Sequence, residues 1–472
     1  MSLLTSLIPI LTLIILLVLN VVVFKDDATY GPNQLALIIA AVCSIALGIK
    51  NTSWKQIIEG IEKNIKISLG AIIILLLIGS LIGTWVLSGI VPSLIYYGLG
   101  ILNPSYFLVT ACVICAVVSI ATGSSWSTSG TIGIALVGVG KAMGIPEEMS
   151  VGAVISGAYF GDKMSPLSDT TNLSAAMAGA NLFDHIKYMM FTTIPSVVIA
   201  IIIFTIIGLS FNGEYSPEKV NEIQSVLANQ FNISPMLFLI PVLVVYLIYR
   251  KLPTIAVIFI GMLLAGVAAI PFQSKLIASL SSLHTSSFYG SYEVVVKAAT
   301  MGIEIDTGNK MVNDLVGAKG MVGMLNTVWL ILCAMVFGGA LEATGMLKTI
   351  SNFIIGRVES FFSLIASTVG TCLFFNITAS DQYLAVVVPG RMFEQEYKKR
   401  GLAPVNLSRT LEDSGTVTSV LVPWNTCGAY HAGLFGVSTW AYLPYCFFNL
   451  ISPLMTILFA AFYIKIKKKL IV

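Results

Sequence analysis

Between Gly157 and Ala180 the chain reads GAYFGDKMSPLSDTTNLSAAMAGA. From Asp162 to Asn172 it collects Asp162, Lys163, Ser165, Ser168, Asp169, Thr170, Thr171 and Asn172 around Pro166, with apolar sequence on both sides. A carboxylate beside three hydroxyls offers hard oxygen ligands, which suit a small hard cation such as Na⁺. Asp169, with Ser168 and Thr170, is therefore the foremost candidate Na⁺ ligand. The competing reading makes Asp169 an N-cap for the helix that follows. Asp162 and Lys163 could carry a proton in a low dielectric, or could form a structural charge pair at the cytoplasmic end.

Such a stretch needs a special setting. The 472 residues are 56% hydrophobic and 10% charged, with mean hydropathy +0.90. Soluble domains carry about 25% charged residues. The chain is therefore expected to be an all-α polytopic membrane protein, and a proline-broken polar segment at membrane depth must be buried in protein or line a cavity. All seven cysteines lie in or beside apolar segments, and Cys112 and Cys115 have no second pair, so they read as small hydrophobes. The residues up to Phe24 read as a first span rather than a signal peptide, because no basic region precedes them. No phosphate loop or zinc spacing is present. A serine hydrolase built on Ser124 and His431 has no support in the spacing. The chain is expected to be neither an enzyme nor a nucleic-acid binder, and to need no cofactor beyond Na⁺ as a transported or coupling ion.

Spans are expected near 3–24, 31–49, 67–90, 147–180, 186–210, 233–249, 252–270, 325–346, 405–436 and 438–464, the fourth and ninth of them broken. Segments 104–143 and 360–396 each carry a central polar cluster and suit re-entrant hairpins. With both termini inside, most Lys and Arg fall on the cytoplasmic side and Lys163 stays within the membrane. Segments 51–66 and 307–322 then read as surface connectors. A shift of 256 positions lays Gly89 on Gly345, Thr122 on Thr378, Ser124 on Ser380, Ser125 on Asp381, Asp169 on Asn425 and Thr170 on Thr426. Each half has five spans plus one re-entrant hairpin, and an odd count inverts the second copy. The expected architecture is two inverted repeats, 1–210 and 233–472, joined by an external linker at 211–232, with broken helices at the midplane.

Four polar interruptions then face one cavity. The hairpin tips bring Thr122, Ser124, Ser125, Thr378, Ser380 and Asp381. The helix breaks bring Ser165 to Asn172, and Asp413, Thr416 and Asn425. Asp162, Asp169, Asp381 and Asp413 are the candidate ion- or proton-binding acids, joined by Glu342 as a lone carboxylate inside its span. Glu412 is expected to face the cytoplasm. Small polar residues at the tips could equally serve tight packing, and His431 is expected to pack. Trp126 and Trp424 could shape the cavity. No intramembrane arginine is expected, which weighs against dicarboxylates; Lys163 keeps an organic anion open.

The motif GDKMSPLSDTTNLSAA resembles the signature of the NhaC family of Na⁺/H⁺ antiporters, which includes malate/lactate antiporters. ATGSSWSTSGTIG and LEDSGTVTSVLVPWNTCGAY are similar to it too, and the likeness covers essentially the whole chain. The resemblance implies secondary transport driven by a cation gradient, with Asp162, Ser165, Asp169, Thr170, Thr171 and Asn172 in the matching motif. It implies an elevator-like motion, and fold analogy adds a homodimer. The expected function is exchange of Na⁺ for H⁺ in a bacterial plasma membrane. The alternative is Na⁺- or H⁺-coupled exchange of small organic anions or amino acids, and a channel is the contrasting class.

Overall fold

The computed structural model describes residues 2–24, 27–28, 30–50, 52–210, 217–250, 252–283, 287–356, 358 and 360–468. Lys25, Lys251, Arg357 and Lys469 of the charge count, and 211–216 of the expected linker, lie outside them. Among the described residues the chain is helical throughout, and its extended pairings are two isolated bridges, Ile303–Ala318 and Leu402–Lys468. Seven helices are long and apolar enough to cross a bilayer, or up to nine if each of two bent pairs is one span. Those pairs are Val220–Gln230 with Pro235–Tyr249, bent by 89°, and Thr439–Tyr445 with Phe447–Ala461, bent by 60°. Outward-facing Leu4, Val22, Ile202, Ile206 and Val267 are exposed, as expected where the solvent is lipid.

The expected connector at 51–66 is instead part of one continuous helix, Trp54–Leu87. Ser53 caps it with Gln56 in a reciprocal box, and no Pro interrupts the step into the apolar stretch. At 1.5 Å per residue this helix is about 50 Å long and outreaches a hydrocarbon core of about 30 Å. It packs against Thr254–Phe272 and Leu325–Ala343. Segment 307–322 is irregular, carrying the short helix Lys310–Val316.

The polar clusters at 122–130 and 376–383 fall where two helical limbs join. Pro104–Thr122 ends at Gly123, and Phe361–Thr378 ends at Ala379. Each first limb is itself long and apolar enough to cross, a length that a turn at mid-depth does not require.

The two broken helices share a local design. Glu147–Met164 stops at Ser165, before Pro166, and the chain restarts as Asp169–Ala178 with Ser168 as its cap. Pro404–Leu411 runs into a π-helical turn, Glu412–Thr416, then a short 3₁₀ turn, and restarts as Thr426–Phe435 capped by Asn425. Both restarted helices end on a left-handed glycine, Gly179 and Gly436, each at φ 69°, a conformation that costs glycine little. The caps and end glycines match at a shift of 257. Asn425 therefore stands opposite Ser168, and Thr426 opposite Asp169.

Candidate ion-binding site

Close helix packing sets the first half of the site. A Cβ on Gly157 would lie 2.0 Å from the Cys112 carbonyl oxygen, and one on Gly161 would lie 2.3 Å from that of Ala116. Only glycines in this small-xxx-small spacing let Glu147–Met164 sit this tightly on Pro104–Thr122. Ser119 Oγ donates to the Ala158 carbonyl at 2.6 Å across the same contact. Asp162, one residue past Gly161, is thereby delivered to the first tip. Its Oδ2 accepts from Ser125 N–H at 3.0 Å and Ser125 Oγ at 2.7 Å. Its Oδ1 is buried without a partner.

The next residue points elsewhere. Lys163 is fully buried and pairs with Asp413, donating also to Ser452 Oγ at 3.0 Å. Asp413 Oδ2 accepts from Thr192 at 2.7 Å and from Thr456. The expected Asp162–Lys163 charge pair is therefore not formed. Successive residues on a helix diverge by about 100°, so each meets a partner from a different element.

The three residues expected as Na⁺ ligands meet different partners. Ser168, rather than Asp169, is the cap: its Oγ accepts from Thr171 N–H at 3.3 Å and shares a hydrogen bond with Thr170 Oγ1 at 3.1 Å. Asp169 opens the helix and is exposed. It accepts from its neighbour Thr170 N–H at 3.0 Å and from the Tyr383 hydroxyl. Thr170 Oγ1 donates at 3.2 Å to Glu412, whose other oxygen accepts from Ser174. Glu412, expected at the cytoplasmic surface, is fully buried. It lies within Coulombic reach of Asp162 and Lys163, and Ser168 lies beside Asp162. Thr416 Oγ1 is buried beside Glu412. Asp162, Ser168, Thr170, Glu412 and Thr416 thus gather where the two broken helices meet, with Asp169 also within Coulombic reach of Asp162. Nothing in the sequence marks Glu412; what places it is the π-helical turn, a form frequent at functional sites. It sets Glu412 and Asp413 into different interiors instead of leaving one outside.

Other expected site residues hydrogen-bond to the surrounding helices. Ser165 Oγ donates to the Ile120 carbonyl at 2.8 Å, Thr171 Oγ1 to that of Lys163 at 3.0 Å, and Asn172 Nδ2 to that of Pro166 at 3.0 Å. Ser124 caps the short helix after the first tip, and Thr122 Oγ1 meets Thr128 Oγ1 at 3.3 Å. Thr378 Oγ1 bonds back to the Phe374 carbonyl at 2.8 Å. Asp381 is buried and accepts from Leu384 N–H at 3.0 Å, closing the start of the return limb. Ser380 holds φ 59°, a strained value for a non-glycine residue, and its carbonyl accepts from Thr426 N–H at 2.9 Å. Asn425 reaches Asn376, which in turn donates to Thr418 at 3.0 Å. Trp126 stacks on Tyr430 at 4.1 Å, and Trp424 donates to the Ile377 carbonyl. His431, buried between the Cys427 carbonyl and Ser129, packs as expected.

Glu342 is not a lone carboxylate. Lys63 Nζ lies 2.8 Å away and Asn64 donates at 3.0 Å, near the exposed end of its helix. Exposed pairs of this kind contribute less than about 1 kcal/mol. Glu342→Gln is expected to shift the thermal midpoint slightly and leave cation exchange unchanged. A collapse of exchange would return Glu342 to the ion path.

Spanning helices around buried carboxylates and a buried lysine–aspartate pair define a polytopic helical membrane protein of the transporter class. The chain matches the profile of the Na⁺/H⁺ antiporter family over residues 157–464 and belongs to that family. It is 38% identical to the Na⁺/H⁺ antiporter NhaC of Alkalihalophilus pseudofirmus, covering 91% of this chain and 89% of that one. It is 36% identical to the malate-2H⁺/Na⁺-lactate antiporter of Bacillus subtilis, over 96% and 93%. It is 34% identical to the arginine/ornithine antiporter ArcD of Halobacterium salinarum, over 96% and 90%.

Proposed function

We propose that this protein is a secondary antiporter that exchanges Na⁺ for H⁺ by alternating access. It works in a bacterial plasma membrane, with both termini cytoplasmic and the halves 1–210 and 233–472 related as inverted repeats. The observation that carries the reading is the Asp162–Glu412 cluster. Two carboxylates and the hydroxyls of Ser168, Thr170 and Thr416 give one small cation a shell of hard oxygens. A proton on either carboxylate removes the charge that holds the cation, so Na⁺ and H⁺ compete for one site. That competition, met alternately from each side, is exchange. The test is Na⁺-driven proton flux in proteoliposomes carrying the purified protein. Flux is expected with the wild type and expected to be lost with Asp162→Asn; equal flux from both would overturn the site.

Asp169 is proposed to act at the rim of this site, clasped by Tyr383. Tyr383→Phe removes one hydrogen bond to a charged group, worth about 1.5–3 kcal/mol when buried and less at an exposed carboxylate. Exchange is expected to survive, with apparent Na⁺ affinity changed by a few-fold at most (roughly 1 kcal/mol). A Na⁺ titration that showed complete loss would place Asp169 at the centre instead.

A second reading, coupled exchange of a small organic anion or amino acid, draws on the named activities of two relatives. One observation favours it here. Arg409, expected on the cytoplasmic side, is fully buried one turn before Asp413.

A further inference from the structure

Arg409 is buried to 0% exposure, and none of its Nε, NH1 or NH2 atoms has a hydrogen-bond partner among the described residues. Its guanidinium lies 4.7 Å from the Tyr188 ring and 6.0 Å from that of Phe459. Aromatic contact of this kind favours the cation while making no hydrogen bond to its five N–H donors. Asp413, four residues on, is already committed: Lys163 holds one carboxylate oxygen, and Thr192 and Thr456 hold the other. Thr192 stands four residues after Tyr188 on one helix, and Thr456 three before Phe459 on another. Arg409 and Asp413 therefore share one seam between Leu182–Ser210 and Phe447–Ala461. His185 opens the same helix wall, fully buried, with both ring nitrogens unpartnered.

A buried guanidinium without an acceptor is strongly unfavourable, and an apolar residue of similar volume would fill the seam at less cost. Na⁺/H⁺ exchange at the Asp162–Glu412 cluster gives it no role. We propose that Arg409 anchors the carboxylate of a small organic solute, either an organic acid or an amino acid. The proposal rests on the second reading above and gives that reading its binding residue. The planar fork matches the two oxygens of a carboxylate through parallel N–H···O bonds, a match that a spherical halide cannot make. Tyr188 forms the wall against which the bound group would lie.

The chain's last described residues cover one end of the seam. The Tyr188 hydroxyl donates to the Lys465 carbonyl. The Lys467 carbonyl accepts from Ala403 N–H at 2.9 Å and from Asn406 Nδ2 at 2.7 Å, and Leu402 bridges Lys468. These few bonds to segment 465–468 are what an entering solute would have to displace.

The experiment is thermal unfolding of the purified full-length protein in potassium acetate, lactate, malate, arginine glutamate or chloride at matched ionic strength. At least one carboxylate is expected to raise the wild-type midpoint above the chloride value. Arg409→Gln is expected to weaken that carboxylate's apparent affinity roughly tenfold to a hundredfold while the rise produced by NaCl persists. Arg409→Lys, which keeps the charge but loses the fork, is expected to fall between. If carboxylates stabilise the wild type and both variants equally, organic exchange stands and the role of Arg409 is overturned. If none stabilises the wild type, the second reading and this inference fall together, and no variant needs to fold for that outcome. Stabilisation by chloride alone overturns the planar ligand.

Discussion

Asp413→Asn is expected to lower the protein's stability by about 3–5 kcal/mol. The reason is the partner it leaves behind. Lys163 is fully buried, and among the described residues its ammonium touches, besides Asp413, the Ser452 hydroxyl and the Phe448 ring, 5.7 Å from its nitrogen, with the Glu412 carboxylate within Coulombic reach but not in contact. Neither direct contact carries charge. Asparagine keeps the shape and can still meet Thr192 and Thr456, so the loss reads the charge pair and little else. Removing both charges together, as Lys163→Met with Asp413→Leu, is expected to restore most of the stability, because desolvating two ions costs nearly as much as their attraction returns. The measurement is the thermal midpoint in detergent of the wild type, the single variants and the double variant. A single variant as stable as the wild type would mean that the pair is not charged in the resting protein. A stable double variant that still exchanged cations would make the pair purely structural.

Much of this arrangement was legible in the sequence, and the limits have physical causes. The polar break at 162–172, its counterpart near 413–426 and the two limb joints stand out because polar residues are rare in so apolar a chain. Lys163 was marked as intramembrane by the same contrast. Partner choice was not legible, because it depends on helix rotation and on contacts hundreds of residues apart. Asp162 and Lys163 are neighbours in sequence and face opposite interiors. Glu342 looks alone until the long helix through Lys63 is folded against it. Glu412 and Arg409 were assigned to the cytoplasmic side because charge near a helix end usually lies there. The broken helix instead carries both into the protein, its π-helical turn fixing where Glu412 and Asp413 point. Asp169 reads as the ligand of its motif by chemistry alone; in the fold Ser168 takes the cap and the Asp169 carboxylate meets Tyr383.

Glu412→Gln is expected to abolish the stabilisation that Na⁺ confers while leaving the Na⁺-free protein as stable as before, or slightly more so. A fully buried carboxylate is costly unless a cation or proton compensates it, so the neutral amide relieves that cost when Na⁺ is absent. Glutamine still accepts from Thr170 or Ser174, which keeps the helix Asp169–Ala178 in place. With Na⁺ present the sign reverses. The wild type gains RT ln(1 + [Na⁺]/Kd), about 2.7 kcal/mol at a hundredfold excess over Kd, whereas a site with one carboxylate fewer gains little. Asp162→Asn is expected to behave alike, since its carboxylate is the other charged ligand proposed for the ion. Asp169→Asn is expected to lose far less, because that carboxylate is exposed and already held by Tyr383. The order of the three variants decides the site. Na⁺ titrations by thermal shift, paired with Na⁺-driven proton flux in vesicles, should place Glu412 and Asp162 together and Asp169 well behind. If Asp169→Asn proved the most damaging of the three, the cation would sit at the rim, and the buried cluster would hold only the proton.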